Sequence, residues 1–296
     1  MAGAFTGARD VPAEALIVGA ALSVQVGASL AVGLLAGYAP VSVVALRLLF
    51  SAAILLLLRP PRIRSTPGHA WRSAFLLGLV FVGMNSAFYL AISRIPLGVA
   101  VTIEFVGPLA AAVLGSHRRR DLAWVALAAA GVWVLAGGRL EASDALGVAA
   151  AFGAGLGWFL FIAVGTRVAR DWPDGRGLTA ALVVGAAVAI PIAASVGDLG
   201  AVVARPADLG IAFFVAVFSS ALPWSFELAA MSRLGPMTYG VLTSLEPAIA
   251  VLVGFALLAQ RLDAAEIVAI GLVVAASVGA SFAARSLPAV PGELGT

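Results

Sequence analysis

The 296-residue chain contains no cysteine and no lysine, and only 11% of its residues are charged. Without cysteine there is neither a disulfide framework nor a thiolate metal site. Without lysine there is no Walker A phosphate loop, whose lysine reaches the nucleotide phosphates, so this chain alone is not an ATP-driven pump. Histidine is scarce as well. His69 and His117 both fall between apolar runs, which excludes a His-based intramembrane triad and an HExxH zinc site. An ordinary soluble domain carries about 25% charged residues. Here 62% of the chain is apolar and the few charges sit in short clusters between long apolar runs, the composition of a polytopic membrane protein. All 18 basic residues are arginines, against 15 Asp and Glu. In a membrane protein that excess sets orientation and contacts anionic lipid headgroups, and it implies no nucleic-acid partner.

An α-helix crosses a hydrocarbon core of about 30 Å in about 20 residues. Ten runs approach that length: 13–36, 41–58, 73–91, 97–114, 122–136, 145–165, 178–196, 209–230, 237–258 and 264–284. The first is longer than a signal-peptide core, follows an acidic flank and leads directly into another span, so it is expected to be retained. With the N-terminus in the cytoplasm, the inner loops hold Arg9, Arg59, Arg62, Arg64, Arg72, Arg118 to Arg120, Arg167, Arg170, Arg176, Arg233 and Arg285. The outer loops hold only Arg94, Arg139, Arg205 and Arg261, and Arg47 lies inside the second span. The positive-inside rule therefore predicts both termini in the cytoplasm of a multi-pass protein in a bacterial inner membrane.

The chain resembles itself at an offset of 139 residues. Ser86, Ala91, Ser93, Arg94, Pro108, Ala111 and Gly115 match Ser225, Ala230, Ser232, Arg233, Pro247, Ala250 and Gly254 without a gap. Two repeats of five spans follow, 13–137 and 145–285. Because five is odd, the second repeat enters the membrane in the opposite sense. The predicted fold is all-α, with ten transmembrane helices in two inverted repeats around a central cavity. Such repeats place a substrate site near the midplane and give alternating access by rocking.

An ionisable side chain at the bilayer centre costs about 2.5 to 3.5 kcal/mol on insertion scales, which marks each one as a functional candidate. Four occur within spans: Arg47, Glu104, Glu227 and Glu246. Their competing role is structural, pairing with one another or with backbone carbonyls, and Glu246 before Pro247 is also placed to satisfy a helix end. Functionally, Arg47 is suited to hold a carboxylate, that of Glu104 or of a substrate. Glu104, Glu227 and Glu246 are the candidates for proton uptake and release. A carboxyl's proton affinity depends on whether a guanidinium faces it, so a conformational change that separates such a pair switches its occupancy. Gln25, the pair Asn85 and Tyr89, Ser219, Ser220 and Trp224, and the pair Tyr239 and Thr243 add uncharged polar groups within the spans. Serine and threonine commonly bond their own helix, and tyrosine and tryptophan commonly form interfacial belts. Asn85 and Gln25 carry donors and acceptors that lipid cannot satisfy. Pro108, Pro191, Pro223 and Pro247 are predicted to break or kink their helices and expose backbone carbonyls. The spacings Gly33 to Gly37 and Gly153 to Gly157 have the GxxxG form of close helix packing. Gly153, Gly155 and Gly157 also mimic a nucleotide fingerprint, but no strand precedes them. An enzyme built on paired carboxylates, or a scaffold or sensor without transport, is the competing class. The loops are too short to hold a signalling module.

Several stretches carry a resemblance to a known family: QVGASLA at Gln25 to Ala31, ALRL at Ala45 to Leu48, GMN at Gly83 to Asn85 and PLGVAV at Pro96 to Val101. EFVGPL at Glu104 to Leu109, SALP at Ser220 to Pro223 and SLEPA at Ser244 to Ala248 complete the set. The chain resembles the threonine/homoserine exporter group of EamA-type permeases, in the drug/metabolite transporter superfamily. The resemblance implies a non-enzymatic inner-membrane exporter of small amino acids, driven by protons, with lipid as its surroundings and no cofactor. Taken with the polar residues within the spans, the candidate substrate site is Gln25, Arg47, Asn85, Tyr89, Glu104, Trp224, Tyr239 and Glu246. Arg47 and Asn85 would contact the substrate's carboxylate or amino group, with Glu104 or Glu246 as cation partner. Trp224 stands where a smaller aromatic is expected, which leaves the range from threonine to aromatic amino acids open. The alternative is a carrier of the same type for another metabolite or a drug-like cation. Oligomeric state stays open, a monomer included.

Overall fold

The computed structural model describes residues 11–61, 66–114, 122–138, 145–196, 198–223, 226, 230 and 242–284. Among these residues all regular structure is helical: α1 (Ala13–Leu35), α2 (Pro40–Leu58), α3 (Gly68–Ile92), α4 (Leu97–Glu104), α5 (Val106–Leu114) and α6 (Leu122–Gly138). Then follow α7 (Ala145–Asp171), α8 (Gly177–Val196), the short α9 (Leu199–Val203), α10 (Pro206–Ala216), α11 (Glu246–Leu258) and α12 (Ala264–Ala284). Five of them, α1, α2, α3, α7 and α8, are long and apolar enough to cross a membrane. Proline marks the starts. Pro12, Pro67 and Pro96 sit at N-caps and Pro40 and Pro206 open their helices, positions where the missing N–H and fixed φ cost nothing. Large apolar side chains face outward, among them Leu57 at 86% and Phe255 at 62% exposure, as expected of helices whose surroundings are lipid.

The helices interleave along the sequence. α3 packs on α7 and α8, α2 on α8 and α10, and α1 on α10 and α11. α4 packs on α11 and α7, and α6 on α12. Close approach depends on small residues. A Cβ on Gly107 would lie 2.0 Å from the Gly155 carbonyl oxygen, and one on Gly155 would lie 2.9 Å from that of Glu104. α7 thus presses directly on the α4–α5 junction. Of the two GxxxG spacings, Gly157 abuts Met84 on α3, whereas nothing approaches Gly33 or Gly37 among the described residues.

Two departures from continuous spans matter for the site. The fourth span breaks at Phe105, between α4 and α5. Pro108 offers no N–H to the Glu104 carbonyl, so the ladder is interrupted there. α11 likewise begins immediately before its proline, Pro247, which offers none to the Thr243 carbonyl. The eighth span passes from α10 into a π-turn over Val217–Ala221. Pro191 by contrast sits inside α8, which continues through it. The third and sixth spans are longer than predicted, starting at Gly68 and running to Asp171. The sequence signal at their ends is polar because these turns extend beyond the apolar run. Residues 237–241 of the ninth predicted span lie outside the described residues.

Loops predicted to share a side of the membrane meet one another. The α1–α2 turn touches the α8–α10 connection: Asp198 accepts from the Ala39 N–H and the Ser42 hydroxyl, and the Tyr38 hydroxyl donates to Asp208 at 2.6 Å. On the same predicted side the Leu97 N–H donates to Gln260 Oε1 at 3.0 Å. On the other side the Arg176 guanidinium donates to the Pro60 carbonyl at 2.9 Å and the Trp172 indole to that of Ala70.

Candidate functional site

A cavity of about 300 Å3 opens between the helices, at the small end of the range usual for small-molecule sites. Its polar lining comes from Gln25 on α1, Arg47 on α2, Asn85 on α3 and Glu104 at the end of α4, with Ser219 and Ser220 from the π-turn, Thr243 before α11 and Glu246 at its start. Its apolar wall includes Phe81, Met84 and Phe88 on α3, Phe105 at the helix break, and Trp158 and Phe161 on α7. Phe105 meets Trp158 edge to face at 5.5 Å between centroids, and Phe81 meets Phe161 at 5.6 Å.

Arg47 is held from three directions. One Nη donates to Asn85 Oδ1 at 2.5 Å and approaches the Tyr89 hydroxyl at 3.5 Å. The other donates to the Ser219 carbonyl at 3.0 Å. The guanidinium carbon lies 5.6 Å from the Tyr89 ring centroid, within cation–π range. Asn85 is itself oriented by donating to the Phe81 carbonyl at 2.6 Å, which turns its oxygen toward the cation. Arg47 Nε, Gln25 Oε1 and Ser219 Oγ are buried without a hydrogen-bond partner among the described residues.

The main-chain acceptors arise from the π-turn and Pro223 together. In the π-turn Leu222 donates to the Val217 carbonyl, five residues back, instead of to Phe218. Pro223, having no N–H, serves neither Phe218 nor Ser219. The Ser23 hydroxyl takes the Phe218 carbonyl at 2.7 Å and Arg47 takes that of Ser219. Gly27 allows this approach, since a Cβ there would lie 2.2 Å from Ser219 Oγ.

Glu104 differs from Arg47. It is 8% exposed and lines the cavity, yet among the described residues its carboxyl has no hydrogen bond and no ion pair, with Arg47 or any other group. The Arg47 guanidinium acts on it only through space. Glu246 lines the same cavity from the first turn of α11. A carboxylate there also complements the helix dipole.

The structure thus brings Gln25, Arg47, Asn85, Glu104, Glu246 and Pro108 to one cavity. Tyr89, fully buried, stands behind Arg47 and supports it. Pro223 and Pro247 flank the lining segments without being part of the wall. Trp224, Glu227 and Tyr239 lie outside the described residues. The aromatic wall was not anticipated, because an apolar residue in an apolar span carries no contrast. Its one signal was Trp158, a bulky side chain directly after the glycines at 153, 155 and 157.

The EamA-like transporter family matches this chain over residues 145–282. The threonine/homoserine exporter RhtA of Salmonella typhimurium (strain SL1344) is 37% identical over 273 residues, 90% of each chain. RhtA of Escherichia coli (strain K12) is 37% identical over 282 residues, 93% of this chain and 92% of its own. A solved protein crystal structure shares the fold, with a TM-score of 0.64 at 18% identity over 94% of this chain and 99% of that one. The apolar helices, the cavity between them and this identity over nine-tenths of the chain agree: the chain belongs to the EamA family of multi-pass membrane transporters, in the group that resembles RhtA.

Proposed function

We propose that the chain is an inner-membrane secondary transporter that exports small amino acids, threonine- or homoserine-like, by alternating access coupled to protons. The observation that carries this reading is the charge arrangement of the cavity. Glu104, whose carboxyl has no partner among the described residues, and Arg47, whose Nε has none among them either, line one space of about 300 Å3, as a zwitterion requires. Glu104 takes the substrate ammonium, while Arg47 and Asn85 take its carboxylate. Gln25, Trp224, Tyr239 and Glu246 complete the contacts, and Tyr89 acts through Arg47. Glu104, Glu227 and Glu246 are the candidates for carrying protons.

The chain is read as ten transmembrane helices in two inverted repeats, 13–137 and 145–285, with both termini in the cytoplasm. Helix packing supports the repeats. Exchanging each span for the one five places along turns α3 on α7 into α10 on α1, and α3 on α8 into α10 on α2. It turns α1 on α11 into α7 on α4, and leaves α2 on α8, α4 on α11 and α6 on α12 as they are. Pro108 and Pro247, equivalent in the repeat, each follow a helix break at the cavity. Rocking of the repeats about such breaks exposes the cavity to either side in turn.

A second reading, a carrier of organic cations, is favoured by one observation: both Nη groups of Arg47 are already engaged by neutral acceptors, whereas Glu104, which lines the same cavity as Phe105 and Trp158, has no partner among the described residues. Efflux from proteoliposomes loaded with labelled threonine, homoserine and a lipophilic cation decides between them. Amino-acid release that is accelerated by an imposed pH gradient and falls at least tenfold in Glu104→Gln and Arg47→Ala supports export of amino acids. Release of the cation alone, untouched by Arg47→Ala, supports the second reading.

A further inference from the structure

The carbonyls of Phe218 and Ser219 tie the π-turn to α1 and α2. Neither is served by the helix donor that would ordinarily take it, because Leu222 bonds Val217 and Pro223 has no N–H. Each is held instead by a side chain from the other end of the sequence, Ser23 at 2.7 Å and Arg47 at 3.0 Å. The Arg47 bond is charge-to-neutral, made in a cavity where Nε of the same guanidinium has no partner among the described residues. A carboxylate entering that cavity is a stronger acceptor than a peptide carbonyl, because it carries a full negative charge and offers two oxygens to the guanidinium fork.

We infer that Arg47 is a substrate-operated latch: a carboxylate ligand takes the guanidinium away from the Ser219 carbonyl and so frees the π-turn from α2. This rests on the amino-acid reading above and adds to it the element that binding moves. In the latched state Arg47 joins α2 and α3 to the π-turn; in the released state it holds the ligand, and the Ser23 bond to the Phe218 carbonyl remains. Part of the ligand's binding energy is spent on the release, so observed affinity is lowered by the fraction of molecules still latched. Pro223 is a positioning residue in this scheme. It never touches the ligand, but it keeps the Ser219 carbonyl available to Arg47.

Two variants weaken the latch without touching Arg47. Pro223→Ala supplies an N–H that competes for the Ser219 carbonyl, and Ser23→Ala removes the second tie. Equilibrium binding of labelled L-threonine and L-homoserine to the purified full-length chain is measured for both, alongside L-threoninamide, which lacks the carboxylate. The expected result is at least threefold tighter binding of the two amino acids, lower turnover in proteoliposomes, and unchanged affinity for the amide. A role confined to packing would weaken binding instead. Unchanged or weaker amino-acid binding in whichever of the two variants folds overturns the latch while leaving the amino-acid reading standing. Equal tightening for the amide overturns the carboxylate as the trigger, and with it the latch. No binding of either amino acid to the unaltered chain overturns the amino-acid reading and the latch together.

Discussion

Arg47 directs one Nη at Asn85 and the other at the Ser219 carbonyl, whereas the Glu104 carboxyl in the same cavity has no partner among the described residues. The high cost of a charge within a span marked both residues from sequence. Their pairing was only partly legible. The acceptor Asn85 has a letter in the sequence, but the second acceptor of Arg47 is main chain, and its availability follows from Pro223 together with a π-turn that has no residue signature. A polar residue away from the membrane interior shows the same economy. Tyr38 lies in the α1–α2 turn and donates to Asp208, a hydrogen bond that, with some desolvation, raises its phenol above the ordinary value of 10.0 against the field of Arg205. The neutral phenol therefore contributes fully below the unfolded value, and its contribution is lost as pH rises through the raised folded value. Ultraviolet titration of tyrosinate, subtracting the Tyr38→Phe variant from the unaltered chain, is expected to show a single ionisation above 10. A difference transition at or below 10 would contradict the bond.

At the scale of elements, glycine and proline decide where helices touch and where they break. Gly107 and Gly155 let α7 bear on the α4–α5 junction, the turn that presents Glu104 and Phe105 to the cavity. Gly107→Ala puts a Cβ 2.0 Å from a backbone oxygen, which cannot rotate away. Overpacking of this kind costs about 1–3 kcal/mol. Gly33→Ala, with nothing within 4 Å, is the control, and it gains up to about 1 kcal/mol from helix propensity. Unfolding in mixed detergent micelles is expected to separate the two variants by about 1–3 kcal/mol; equal stabilities would remove the close contact. Pro108 and Pro247 were recognised as breaks from the sequence because a missing N–H is a local property. That Gly157 packs while Gly33 does not could not be read there, since both spacings are equally permissive and only a facing helix makes one of them an interface. At Pro191 α8 is continuous, without the helix break found at Pro108 and Pro247.

For the whole molecule the decisive quantity is the distribution of arginine between loops. Thirteen arginines on one set of loops against four on the other predict cytoplasmic termini. Loops assigned to a common side do come together, as Tyr38 with Asp208, Leu97 with Gln260 and Arg176 with Pro60. A C-terminal fusion to alkaline phosphatase is expected to be inactive and one to green fluorescent protein bright. The reverse pattern would invert the orientation and call for the export direction to be reversed. The membrane class, the apolar helices and the cavity charges Arg47, Glu104 and Glu246 were legible in the one-dimensional string, because hydrophobicity, helix length and the missing N–H of proline act locally. The pairing of α3 with α7, the aromatic wall of Phe105 and Trp158, and the capture of the Ser219 carbonyl by Arg47 were not. Residues 47 and 219 are 172 positions apart, and in a chain that is apolar almost throughout, the choice among equally greasy faces is made by shape and by unsatisfied backbone groups, which exist only once the helices are packed.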